Sequence, residues 1–150
     1  MGWLYLDKRD GHCECSDVAV TKSDMETWLP RKTQIGMIEL VAPLMALEAL
    51  GKRVDGCRII VLVDSEAAEG ALARGYSGVE DVCALAGLFW RQCVARGIAP
   101  YIDRVPTDGN PSDGPSRKKR QPLISRGAPW RPPPPVSSTL VKLSEELGGA

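Results

Sequence analysis

Cys57-Arg-Ile-Ile-Val-Leu-Val-Asp-Ser65 is the stretch whose reading decides the fold. Its uninterrupted apolar run, Ile59 to Val63, is mostly β-branched and follows Gly56. That pattern predicts a strand over Cys57–Asp64, buried on both faces. The run ends at Asp64, and Ser65-Glu-Ala-Ala68 opens a helix directly after it. A carboxylate at the carboxyl end of a buried strand sits where open α/β sheets place their chemistry. Asp64 therefore admits two readings, a functional carboxylate or a simple helix cap.

Working outward toward the N-terminus, Thr33–Leu50 reads as the main helix, stopped by Gly51. Ile35, Ile38, Ala42, Met45 and Ala49 form its core-facing stripe, and Leu40, Val41, Leu44 and Leu47 widen it. Glu39 lies within this apolar segment. A buried carboxylate there needs a cation, a hydrogen-bond partner or water, whereas a place on the rim would need none of them. Pro43 cannot donate to the carbonyl of residue 39, which predicts a kink beside Glu39. Toward the C-terminus, Glu66–Arg74 reads as a short helix ended by Gly75. Ser77-Gly-Val-Glu80 matches a capping box that opens a second helix reaching about Arg96. Ala99–Val105 alternates as a strand with one more polar face, and a turn-rich segment follows to Arg117.

Gly2–Asp7 and His12–Val20 flank Asp10-Gly11 and read as a β-hairpin. His12, Cys13 and Cys15 lack the second ligand pair of a zinc site. On a strand the two cysteines share a face and pack as small hydrophobes. Asp17–Arg31 reads as a crossing loop with Trp28 as a buried anchor. The order hairpin, helix, strand, helices, strand gives an α/β fold, a mixed sheet covered by helices. The division expected is a domain over residues 1–117 and a basic, Pro-rich, mostly disordered tail over 118–150. Ser138–Leu147 could form a short helix with Leu140, Leu143 and Leu147 on one side. The run Arg117-Lys-Lys-Arg120 reads as a nuclear address or phosphate contact, or as a solvated hinge.

The net charge is zero, so nucleic-acid affinity would have to come from local patches and metal ions. No stretch reaches the roughly 18 to 20 apolar residues of a membrane span, and the N-terminus is too soon charged for a signal peptide. Five scattered cysteines form no disulfide framework and point to a reducing compartment, cytoplasmic or nuclear.

Glu39 in a helix, Asp64 at a strand end and Asp113 in a late turn give an ordered set of carboxylates. Gln34-Ile-Gly-Met-Ile-Glu-Leu-Val-Ala42, Val63-Asp-Ser-Glu-Ala-Ala68 with Gly75-Tyr-Ser77, and Arg104-Val-Pro-Thr107 running to Asn110-Pro-Ser-Asp-Gly-Pro-Ser-Arg117 accompany them. Together, over roughly Gly2 to Arg117, they resemble the ribonuclease H-like domain of eukaryotic retroelement reverse-transcriptase polyproteins. The resemblance implies Mg²⁺-dependent endonucleolytic hydrolysis of RNA in an RNA–DNA hybrid. Glu39, Asp64 and Asp113 would be catalytic metal ligands of a two-Mg²⁺ centre. Arg104, Asn110 and Arg117 would contact nucleic acid. The rest of a reverse transcriptase polyprotein would be a further partner.

This chain departs from the family at the sheet's centre. Gly2–Asp7 looks like the family's second strand, so the first strand and its aspartate are missing. The expected domain is therefore N-terminally truncated and its two-metal site incomplete. Aligning Asp7 with the lost aspartate is an alternative, but it leaves the hairpin a strand short, and Lys8-Arg9-Asp10 beside it looks like a solvent turn. The expectation is a ribonuclease H-like domain inactive in this form. A rival is a non-catalytic nucleic-acid or protein-interaction module that retains the fold. A third possibility is an unrelated α/β domain with coincidental carboxylates.

Overall fold

The computed structural model describes residues 1–147 and is mixed α/β. Strands β1 (Gly2–Leu6) and β2 (Cys13–Asp17) pair antiparallel, with Trp3 opposite Ser16 and Tyr5 opposite Glu14. A short helix α1 (Lys22–Met25) and the long α2 (Ile35–Leu50) follow. Then come β3 (Arg58–Val63), α3 (Glu66–Arg74), α4 (Glu80–Ala95) and β4 (Ala99–Arg104). β3 and β4 pair parallel, Arg58 opposite Ala99, with the intervening α3–α4 segment as the crossover that parallel pairing requires. Three further helices close the described chain: α5 (Asp113–Ser116), α6 (Gln121–Ile124) and α7 (Val136–Leu147).

The core forms where α2 meets α4. Met37, Leu40, Val41, Leu44 and Met45 pack with Leu88, Phe89 and Cys93, all nearly inaccessible to water. α2 runs continuously through Pro43 and begins at Ile35 without a side-chain cap, two residues later than the sequence pattern implies. Its last carbonyls are satisfied by Arg96 at the end of α4, which donates to Leu47 O at 2.8 Å and to Gly51 O, and also pairs with Asp55 at 2.6 Å. One guanidinium thus meets the acceptors that every helix C-terminus leaves open.

Three sequence expectations need correction. The mixed sheet is not continuous: β1–β2 and β3–β4 are separate two-stranded sheets. Nor is β3 buried on both faces. Its exposure alternates: Ile60 and Leu62 are 68% and 56% exposed, and Tyr101, opposite Ile60 on β4, shares their bare face, while Ile59, Val61 and Val63 turn toward the core. Ser77 does not build a capping box. Its hydroxyl accepts from Val79 N at 3.2 Å, a local turn that leaves α4 to start at Glu80 without a side-chain cap.

Residues 118–147 also depart from the expected disordered tail. Cys15 N donates to Pro129 O at 3.0 Å and Arg131 N donates to Cys15 O at 2.8 Å, so the Pro-rich segment lies along the outer edge of β2. α7 then packs on α4 and α2, burying Val136, Thr139 and Leu143. Composition alone hides this docking, since the segment has no core of its own and covers one built elsewhere. The expected alignment of Leu147 with Leu140 and Leu143, and everything expected of residues 148–150, lies outside the described side chains. The loop over Asp17–Arg31 likewise holds α1, capped reciprocally by Thr21 and Asp24, while Trp28 is buried as its composition implied.

Candidate functional site

Between β1 and β3 lies a cleft of about 1130 Å³, floored by α2 and closed at one end by the segment Asn110–Ser116. Glu39, Asp64, Asn110 and Asp113 line it, whereas Arg104 and Arg117 do not. The helix places Glu39 one residue past Ile38 on the half-buried side of α2, and the end of β3 delivers Asp64. The cap of α3 is Ser65, whose hydroxyl accepts from Ala68 N at 3.3 Å, so the capping role proposed for Asp64 belongs to its neighbour.

Burial pushes the Glu39 carboxyl above its ordinary value of 4.5, the Asp64 charge adds to this, and the Ser65 hydroxyl opposes it. Asp113 is held instead by Arg117, four residues on, at 2.9 Å. Among the described residues no group of three or more His, Cys, Asp or Glu side chains is placed to hold a metal ion. Glu39 thus feels the charge of Asp64, and Asp113 shares their cleft without joining them in a ligand set. Asn110 Oδ1 is occupied by Ser112, from its N–H at 3.0 Å and its hydroxyl at 2.7 Å. Arg104 reaches Glu66 at 3.5 Å.

The shifted Glu39 gives a testable pH dependence. The folded chain holds this proton more tightly than the unfolded chain, so ionisation works against folding as pH rises from 4.5 through the folded value. Glu39→Gln is therefore expected to stabilise the chain at pH 7 by on the order of 1 kcal/mol. The gain should vanish below about pH 4, where both states carry the neutral acid. Urea unfolding at the two pH values checks this, and an unchanged or lower stability of the variant at pH 7 would refute it.

The other end of the cleft carries a cluster the sequence reading misplaced. Asp7 is 4% exposed and accepts from Arg9 Nη2 at 2.6 Å, Nε at 2.9 Å and backbone N at 2.9 Å, with Arg53 at 3.4 Å. The Arg9 hydrogen bonds hold its carboxyl well below the usual range, against the opposing effect of burial. Asp7 therefore does not belong to a solvent turn. Its donors already use both oxygens, and Arg9 also reaches Cys57 Sγ at 3.2 Å and Arg53 O at 3.1 Å at the start of β3. This pins the end of β1 beside the start of β3, away from Asp64 at the other end of that strand. A signal was available, because period-two alternation puts Asp7 on the face of Trp3.

Among the described residues no helix is long and apolar enough to cross a membrane. Comparison with known proteins gave no matching family model, no matching curated protein and no matching solved structure.

Proposed function

We propose that this chain is an incomplete ribonuclease H-like domain of retroelement origin, whose nominal reaction is Mg²⁺-dependent hydrolysis of RNA in an RNA–DNA hybrid and which does not perform it in this form. The observation that carries the reading is the shared cleft lined by Glu39, Asp64, Asp113 and Asn110, with Asp64 directly after a parallel strand. The element order and the two half-sheets flanking that cleft fit the same reading. The donor set does not fit the two-metal centre the family uses. Among the described residues no three His, Cys, Asp or Glu side chains come together to hold a metal ion, and Asp113 is engaged by Arg117. No hydrolytic step is routed through them. Mg²⁺ offered to Glu39 and Asp64 would be held weakly, because hard cations need more oxygen ligands than two carboxylates supply. RNA–DNA hybrid and the remainder of a reverse transcriptase polyprotein are the partners this reading implies, in cytoplasm or nucleus.

Purified chain incubated with labelled hybrid and Mg²⁺ is expected to leave it intact, with Asp64→Asn indistinguishable from the parent. Metal-dependent cleavage that disappears in Asp64→Asn would overturn the reading of an inactive domain. A second reading, a non-catalytic interaction module on the same fold, is favoured by the engagement of Asp113 and Asn110 with their own neighbours. Hybrid binding without cleavage would agree with both readings, and its absence would leave protein interaction as the role.

A further inference from the structure

The backbone of β1 faces β2 with alternate residues only. Met1 and Val18 exchange hydrogen bonds at 3.0 Å, and Asp7 N donates to His12 O at 2.7 Å. Odd-numbered residues therefore serve the hairpin, and the N–H and C=O groups of Gly2, Leu4 and Leu6 turn outward. The parallel pair shows the same division. Ala99 N donates to Cys57 O and Val105 N to Val63 O, each at 2.9 Å, so Arg58, Ile60 and Leu62 turn their backbone away from β4. All six outward residues line the one cleft, and among the described residues their backbone groups have no protein partner.

The two edges run in opposite directions. The end of β1 meets the start of β3 through Arg9, Arg53 and Cys57. The start of β1 abuts α5, beyond the carboxyl end of β4, so closely that a Cβ on Gly2 would stand 2.6 Å from Ser116 N. A strand between them would pair parallel with one and antiparallel with the other. The outer edges are each interrupted by contrast. Pro129–Arg131 covers β2 at Cys15, and Pro100, an outward position of β4, has no N–H to offer. The two edges that face each other are open at every outward residue, and their exposed side chains are the apolar Leu6, Ile60 and Leu62 with the charged Arg58 at the start of β3. The α2 floor presents Ala42 and Ala46, small residues that leave room for larger side chains above them.

We infer that this slot binds an extended apolar segment of another polypeptide, which completes a five-stranded sheet in the order β2, β1, guest, β3, β4 and places a basic side chain against Glu39 and Asp64. The open rungs span Gly2–Leu6 and Arg58–Leu62, so about six guest residues satisfy them. The charge preference follows from those two carboxylates, which have no cationic partner among the described residues. The inference holds whether or not the chain acts on nucleic acid.

The test uses the full chain and fluorescent peptides of alternating valine and threonine bearing one lysine, at either the amino or the carboxyl end. One version is expected to bind saturably. N-methylation of its alternate amides should weaken it by about tenfold or more, as lost rungs leave strand groups unpaired. Glu39→Gln should weaken it severalfold, and replacing the lysine with glutamate should do the same. Ile60→Pro should abolish binding, since it removes an N–H that β4 does not use. The N-methylated peptides carry the same test without altering the protein. Absence of saturable binding by either version, or binding indifferent to N-methylation, would overturn the inference. So would self-association of the chain that Ile60→Pro abolishes, which would make a second copy the occupant.

Discussion

Truncation after Arg117 is expected to destroy cooperative folding. Val136 and Leu143 on α7 are buried, Leu140 is packed against the core, and Ala128 lies within the segment crossing β2. Burying a Val or Leu side chain contributes roughly 1.5 to 3 kcal/mol, so these apolar contacts form a large share of a total near 5 to 15 kcal/mol. Their loss would also bare Trp28, Leu85 and Leu88, which form the groove beneath α7. It would strip the backbone partners of Cys15 from the outer edge of β2, leaving a bare strand that invites aggregation. Residues 1–117 should show weak near-ultraviolet dichroism and no sharp melt. A truncated chain melting cooperatively within a few degrees of the full chain would show that α7 and its approach are dispensable.

This expectation reverses what composition suggests, and the reason is physical. Pro-rich sequence reports that a segment cannot pair with itself. It carries no information about an edge more than a hundred residues away that needs three residues of extended chain. Cys15 and Pro129 meet only in the folded molecule. Where the determinants are local, the sequence is far more legible. α3 runs over Glu66–Arg74 as read, because Ser65 caps it and Gly75 ends it at φ 74°. β3 and β4 lie within a residue of their expected bounds. The misread motifs were also local, and there two local patterns competed. Ser77 satisfies a turn before it can cap a helix. The charges of Lys8, Arg9 and Asp10 masked the alternation that places Asp7 inside.

The candidate site divides along the same line. That Glu39 rides a core helix and Asp64 ends a strand follows from periodicity. That they line one cleft, with the Asp64 charge felt at Glu39, depends on packing between elements, and Asp113 is taken up by Arg117 one turn on. A strand's apolar run says that it wants neighbours. It does not say whether both of its faces will be covered, and Ile60 and Leu62 lie on the face that stays bare.

The second large effect is expected at Asp17, at the end of β2. Its carboxylate is 7% exposed and receives Arg120 Nε at 2.5 Å, Arg120 Nη2 at 2.8 Å and Trp130 Nε1 at 2.8 Å. The guanidinium also lies 4.4 Å from the centre of the Trp130 ring, so one aspartate fastens both sides of the segment that crosses β2. Burial alone would raise this carboxyl, but Arg120 and Trp130 outweigh it and hold it below its ordinary range. Breaking a fully buried pair costs about 3 to 5 kcal/mol; with Arg120 partly in water, Asp17→Ala should cost about 2 to 3 kcal/mol. For a chain of this length that lowers Tm by roughly 5 to 10 °C. A lowered folded pKa makes this a contribution that is complete above the unfolded value and lost as pH falls through the folded one. The gap between parent and Asp17→Asn should accordingly be full at pH 7 and shrink in acid, below about pH 4. Arg120→Lys keeps the charge but loses the paired donors and the planar stack on Trp130, so it should fall between parent and Asp17→Ala. Thermal melts of the three variants at both pH values decide the matter. A difference that fails to shrink in acid would assign the loss to packing, and an Asp17→Ala melt matching the parent would show that the clamp does not hold the segment.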